Sequence, residues 1–303
     1  MSRIEEALRR RGELARVVSD TVVPASHGEE TFVSPWAFRE GADRQPAEIV
    51  PASNPLAAAL DGGLSSELHG LSRFSTEWMS RLVVAPKVDR LIVEEFRQLA
   101  ATLHQAQATS NLRVLVVTSA EPGEGKSTTA VNLALTFSES YKRSVLLIDA
   151  DLRRPTLHEI TQVSNARGLG ETLKATGEHK LPLVRLTERL MLAPAGRPDP
   201  NPMGALTSNR MRHMLTEASG RFDWVILDAP PIGIIADSSL LTPLSDGVLL
   251  VVRANRTHHA VVQKAVSMIG RERVLGVVLN GAQVEDSPAY NHYYHSDPAH
   301  ARD

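Results

Sequence analysis

An α/β fold, doubly wound around a mostly parallel sheet, is predicted by three features of the 303-residue sequence. Short apolar runs alternate with segments of helical period. The runs are apolar at successive positions, the pattern of strands buried on both faces. Several of them end in Asp or in a Gly-rich turn, where open α/β sheets carry their ligand sites. Composition agrees, with 42% hydrophobic and 22% charged residues, as in a soluble globular protein. The length suits one domain of ordinary size with roughly a hundred residues left over. A net charge of −2 supplies no global field to recruit nucleic acid or acidic lipid. The basic residues also lack aromatic interleaving, so nucleic acid is not expected as a partner. The absence of cysteine excludes disulfides, a thiolate nucleophile and Cys-ligated zinc or iron–sulfur sites.

Residues 1–18 have the pattern of an amphipathic helix. Ser2 and Glu5 have capping-box spacing, and Ile4, Ala7, Leu8, Leu14 and Val18 fall near one face, interrupted by Arg11. Residues 19–85 are rich in Pro, Gly, Ser and Ala and are expected to form a mobile linker. Order resumes at Pro86, a good first helical residue. Val88, Leu91, Ile92, Phe96, Leu99 and Leu103 then predict a helix over 87–107, opening a domain that spans 86–281. Glu94 and Arg97 have the spacing of a local ion pair on that helix.

The run Val114–Thr118 is the first strand, and Thr129–Phe137 a helix. Between them lies Ser119-Ala-Glu-Pro-Gly-Glu-Gly-Lys-Ser-Thr128, close to G-x-x-x-x-G-K-[ST], with Ala120 at the first Gly position. In a strand–loop–helix setting this is a phosphate-binding loop, which makes the expected fold that of a P-loop NTPase. Pro122, Gly123, Glu124, Gly125, Lys126, Ser127 and Thr128 would cradle the nucleotide. Lys126 would reach the β/γ-phosphates and the Ser127 hydroxyl would ligate Mg²⁺.

Later strands are read at Ser144–Asp149, Leu190–Ala193, Trp224–Asp228, Gly247–Arg253 and Val274–Asn280, with a helix over 260–269 before the last. Asp149, Asp151 and Asp228 lie at strand ends, where a phosphoryl-transfer site needs metal support and a proton acceptor. Asp228, after four apolar residues, fits metal support, with Asp149 and Ser127 completing the metal set. Asp149 and Asp151 are two apart, so both would face one site if the strand continued. Lys126, Asp149, Asp151 and Asp228 are therefore the candidate catalytic residues. Arg153 and Arg154 would neutralise phosphate charge or pair with the acids.

Three of these segments resemble the Walker A, A′ and B motifs of bacterial tyrosine kinases: Ala120 to Ser127, Leu146 to Arg153, and Val225 to Pro231. The resemblance, to polysaccharide-associated autokinases built on a P-loop fold, runs from about Lys87 to the C-terminus. It implies ATP and Mg²⁺ as cofactors, Asp151 or Asp149 as base toward a tyrosine hydroxyl, and a nucleotide contact from Asn280, with Arg253 placed in the same set. It also implies phosphoacceptors in the tail over 282–303. Three of the four tyrosines lie there, as Tyr290, Tyr293 and Tyr294. Glu94-Glu-Phe-Arg97 resembles an E-x-x-R-x-x-R element that packs between subunits of a ring, with Ala100 in place of the second Arg. A homo-oligomer phosphorylating in trans is thus expected.

No run of 18 apolar residues occurs, and Met1-Ser-Arg-Ile-Glu-Glu lacks a signal peptide's apolar core. The expectation is a cytoplasmic chain recruited to the inner face of the membrane by a separate polysaccharide co-polymerase that activates it. Its leader resembles that of exosortase-associated autokinases. Two rivals share the fold. Partition or positioning ATPases usually carry an extra Lys at the position of Glu121 and lack a tyrosine tail. A nucleotide-responsive scaffold would lack kinase activity, which sits poorly with the intact Lys126 and three Asp. His258, His259, His292, His295 and His300 fit no standard metal-ligand spacing.

Overall fold

The computed structural model describes residues 74–177, 180–233 and 237–282. The N-terminal helix expected over 1–18, the linker up to residue 73, and Tyr290, Tyr293 and Tyr294 lie outside the described residues.

Seven strands form one sheet: β1 (Val114–Ser119), β2 (Val145–Asp149), β3 (Val184–Arg185), β4 (Leu190–Ala193), β5 (Trp224–Asp228), β6 (Gly247–Arg253) and β7 (Val274–Asn280). Their order is β3-β4-β2-β5-β1-β6-β7. All neighbours pair in parallel except β3 with β4. The strands β1, β2, β4 and β5 are buried at every residue, which is why their sequences show no polar alternation. Alternate residues of β1 feed two separate cores: Val114 and Val116 one, Leu115 and Val117 the other. Among the described residues nine α-helices follow in chain order: α1 (Thr76–Met79), α2 (Arg90–Ser110), α3 (Lys126–Leu135), α4 (Leu157–Thr161), α5 (Leu169–Lys174), α6 (Met203–Leu206), α7 (Asn209–Arg221), α8 (Asp237–Leu241) and α9 (His259–Ile269). The α3 helix passes into a π turn, Thr136–Ser140, whose Phe137 stacks on Trp224 with ring centroids 4.5 Å apart. Among the described residues no helix is long and apolar enough to cross a membrane.

Two expectations about boundaries are corrected. The helix expected over 87–107 runs from Arg90 to Ser110, because Asp89 rather than Pro86 starts it: its Oδ1 accepts from Leu91 N at 2.9 Å. Asn111, at φ 50°, ends it in the left-handed conformation typical of a helix stop. The second correction concerns the end of the expected linker, since residues 74–85 belong to the packed body. Phe74, Leu82 and Ala85 are buried in the core. Asn132 of α3 holds this segment from both sides, accepting from Val83 N at 2.9 Å and donating to Arg81 O at 2.8 Å. Arg81 in turn lies 5.1 Å from the Trp78 ring centroid.

The register positions the site. Asp149 of β2 lies opposite Asp228 of β5, and Val117 of β1 opposite the same Asp228. Two carboxylates and the start of the loop after β1 therefore meet at the carboxyl edge of the sheet.

Candidate active site

The loop after β1 turns through two glycines in the left-handed region, Gly123 at φ 77° and Gly125 at φ 93°. Side-chain-bearing residues rarely adopt these angles, so both glycines are required by backbone conformation. Gly125 is the N-cap residue of α3, which starts at Lys126 and directs its free N–H groups into the loop. Ala120, at the position of the first motif Gly, is fully buried and is not among the described non-glycine residues of positive φ. Alanine therefore fits there without strain. Its neighbour is more constrained, since a Cβ at Gly233 would lie 2.5 Å from the Ala120 carbonyl oxygen.

Lys126 is the hub of the site. Its Nζ lies 3.0 Å from Asp151 Oδ2, 3.4 Å from Asp228 Oδ1 and 3.2 Å from Ser127 Oγ. Burial opposes the ammonium charge, but the Asp228 and Asp151 carboxylates outweigh it and hold the Lys126 pKa above its ordinary value. Burial, and then the Asp228 charge, push the Asp149 carboxyl well above the usual carboxylate range. Burial also raises Asp228, and Lys126 only partly offsets it.

The three acids hold different partners. Asp149 Oδ2 accepts from Thr156 N at 3.1 Å and Leu157 N at 3.0 Å, and its Oδ1 from Asp151 N at 3.3 Å. It therefore organises the turn from β2 into α4. Asp151 reaches Lys126 from that turn, because β2 ends at Asp149; continued strand alternation is not what brings the two acids together. Asp228 Oδ2 is buried without a hydrogen-bond partner. A buried carboxylate oxygen left unpaired is costly, and a water on a hard cation would satisfy it. With the Ser127 hydroxyl beside Lys126, the donor set is all oxygen and suits Mg²⁺. No group of three or more His, Asp or Glu among the described residues could hold an ion by itself.

Arg153 does not face the acids of the site. Its Nε lies 2.6 Å from Asp237 Oδ2, and it also donates to the Pro200 carbonyl. Asp237 opens α8 and was not singled out from sequence, because nothing local marks it. Arg154 is exposed, and its backbone N donates to Asp151 Oδ1 at 3.1 Å. Asn280 does reach the loop, donating from Nδ2 to Glu124 O at 2.8 Å, while Arg253 reaches it through its backbone N, 3.2 Å from Glu124 Oε1. Sequence reasoning also missed Thr156, whose hydroxyl donates to Ser127 Oγ at 2.9 Å, and Thr257, whose hydroxyl donates to Glu124. Thr156 immediately precedes α4, a position where Thr is a helix-start signal. Thr257 carries no local signal.

The family model described as ParA: NUBPL iron-transfer P-loop NTPase matches residues 111–295. Tyrosine-protein kinase YwqD of Bacillus subtilis is 34% identical over 219 residues, covering 71% of this chain and 92% of YwqD. The chain belongs to the bacterial tyrosine-protein kinase family. Two further comparisons place this kinase among its relatives. The kinase domain of Escherichia coli tyrosine kinase ETK superposes with a TM-score of 0.61 at 28% identity, covering 74% of this kinase and 91% of that chain. Succinoglycan biosynthesis transport protein ExoP of Rhizobium meliloti is 34% identical over 226 residues, covering 71% of this kinase but 28% of ExoP. The fold matches the one expected from sequence, with the short antiparallel β3 added at the sheet edge.

Proposed function

We propose that this chain is a protein-tyrosine autokinase. It transfers the γ-phosphoryl group of MgATP to Tyr290, Tyr293 or Tyr294 of a neighbouring copy, in the service of exopolysaccharide or capsule synthesis or export. The observation that carries this reading is Lys126, set at the start of α3 between the carboxylates of Asp151 and Asp228. A loop built only to hold a phosphate needs no second carboxylate beside the lysine. A site that moves a phosphoryl group to a hydroxyl needs both metal support and a proton acceptor.

In this reading Ser127 and Asp228, whose second carboxylate oxygen is buried without a partner, would hold Mg²⁺. An ion held there would supply positive charge to offset that of the phosphates during transfer. Lys126 leaves the acids for the phosphates when nucleotide enters, which frees Asp151. Asp149 is occupied with three backbone N–H groups, so Asp151 is assigned as the proton acceptor. A phenol has a pKa of about 10, so a carboxylate takes its proton late, as the phosphoryl group transfers.

Glu121, where partition-type ATPases usually carry a lysine, argues against that rival. The iron chemistry in the description of the family model has no thiolate ligand here, since the sequence has no cysteine. Membrane association, in this reading, runs through a separate polysaccharide co-polymerase at the cytoplasmic face.

Mass spectrometry of the wild type, Lys126→Met and Asp151→Asn, each incubated with MgATP and the activator, tests the proposal. Phosphate on the tail tyrosines is expected in the wild type, none in Lys126→Met, and about a hundredfold or greater loss of rate in Asp151→Asn. Persistence of tail phosphate in Lys126→Met would overturn the assigned site.

A further inference from the structure

We infer that Glu124 and Thr257 form a clamp that presets the phosphate loop and ties it to the ends of β6 and β7, making Glu124 a positioning residue through its side chain. Glu124 sits at the crown of the loop between the two left-handed glycines, yet it is only 2% exposed. A residue there would ordinarily point to solvent. Instead its carboxylate is directed inward and receives three donors. Oε2 accepts from Glu121 N at 2.7 Å, across the turn of the loop itself. Oε1 accepts from Arg253 N at 3.2 Å, at the end of β6, and from the Thr257 hydroxyl a turn later. Its backbone carbonyl accepts from Asn280 Nδ2 at 2.8 Å, at the end of β7. The packing is close, since a Cβ at Gly125 would lie 2.1 Å from that same Nδ2.

Glycine-flanked loops lose the most conformational freedom on ordering. Left free, that cost falls on nucleotide binding. Fixed by a buried carboxylate, it is met when the chain folds, and the N–H groups already face the phosphates. The contacts also make one mechanical unit of the phosphate loop and the two strand ends, Arg253 and Asn280, assigned to the nucleotide. None of these contacts touches the transferring phosphoryl group. Their loss therefore weakens ground state and transition state alike, so KM rises while kcat holds.

The inference rests on the nucleotide-binding reading of this loop, so the test reads binding without turnover. Kd for MgATP is measured by calorimetry on the full chain for the wild type, Thr257→Val, Thr257→Ser and Glu124→Gln, with KM and kcat for tail phosphorylation taken alongside. Thr257→Val keeps the side-chain shape and removes only the hydroxyl. It is expected to weaken MgATP binding about tenfold, with KM following and kcat within about twofold, the size expected when ordering one residue moves from folding to binding. Thr257→Ser restores the hydroxyl and is expected to return Kd to within about threefold of wild type. Glu124→Gln loses one anionic oxygen and turns an NH₂ toward backbone donors, and is expected to exceed Thr257→Val. A wild-type Kd in Thr257→Val, whatever its melting temperature, would overturn the clamp and reduce Glu124 to a structural brace. A fall in kcat at unchanged Kd would overturn it as well. A wild type that binds MgATP yet forms no phosphotyrosine counts against the kinase reading alone, and the tenfold loss in Thr257→Val would still support the clamp.

Discussion

At the scale of single residues, the site is a balance of buried charges set by one lysine. Lys126 neutralises Asp151 and Asp228 in a region where all three side chains are nearly inaccessible. Its folded pKa is raised above the unfolded value of about 10.4, so its stabilising effect is fully present below that value and is lost only as pH rises through the folded pKa. Between pH 5 and 8 the lysine therefore stays charged. Lys126→Met removes the cation that partly offsets the raised pKa values of Asp149 and Asp228, so these two acids ionise still less readily in the folded chain. The folded variant then binds more protons than the folded wild type above about pH 4, so its stability falls more steeply as pH rises. The variant is expected to melt below wild type by a margin that widens from pH 5 to pH 8, by about 1.4 kcal/mol for each unit by which an acid's pKa rises. Calorimetric scans of both proteins without nucleotide check this, and a constant margin would remove the charge account. The exposed Glu94–Arg97 pair on α2, at 3.7 Å, has no such leverage and contributes about 0.3 kcal/mol.

At the scale of elements, the body of the kinase starts earlier than its composition suggests. Leu82 is fully buried and Phe74 nearly so, although both precede the helix that opens the periodic part of the sequence. Leu82→Ala in the full chain is expected to lower the urea unfolding free energy by about 3 kcal/mol. A mere linker residue would produce no shift in the midpoint. What was legible in the sequence follows from period and polarity. Long strands such as β1 and β6 announce themselves by continuous apolar runs, and Asp149 and Asp228 by standing at the ends of β2 and β5. The four-residue α1 and the two-residue β3 are too short to show a period, and their apolar residues look like isolated hydrophobics in a polar stretch. The site divides the same way. Lys126 and the loop glycines are local chemistry and could be read directly. Asp237 and Thr257 gain their roles only when the sheet order brings α8 to Arg153 beyond β2, 84 residues away in sequence, and the β6–α9 connection to Glu124 of the loop, 133 residues away.

At the scale of the whole molecule, an acceptor tyrosine must reach an acid pair recessed at the strand ends, and the acceptors of the proposed reaction follow β7 in the same chain. The α2 helix presents Glu94 and Arg97 beside a groove of about 800 Å³ that Tyr141 and Val84 also line. The residue three positions on, Ala100, is fully buried, so α2 carries one arginine of the E-x-x-R-x-x-R pattern rather than two. In the proposed reaction a subunit contact there would bring one copy's tail to the next copy's site, and transfer in trans would be bimolecular whenever the copies start apart. Mixing separates this from transfer within one chain. A full-length Lys126→Met chain supplies tyrosines without a working site, and a chain ending at Ala282 supplies a site without tail tyrosines. Incubated alone with MgATP, neither is expected to gain tail phosphate. Together they are expected to label Tyr290, Tyr293 or Tyr294 of the Lys126→Met chain, at a rate that rises with the concentration of both. Arg97→Glu in the chain ending at Ala282 is expected to slow that labelling about tenfold while leaving its MgATP Kd within about twofold. An unlabelled mixture, with wild type phosphorylated at a rate per chain independent of dilution, would place acceptor and site in one chain and remove the requirement for a neighbour.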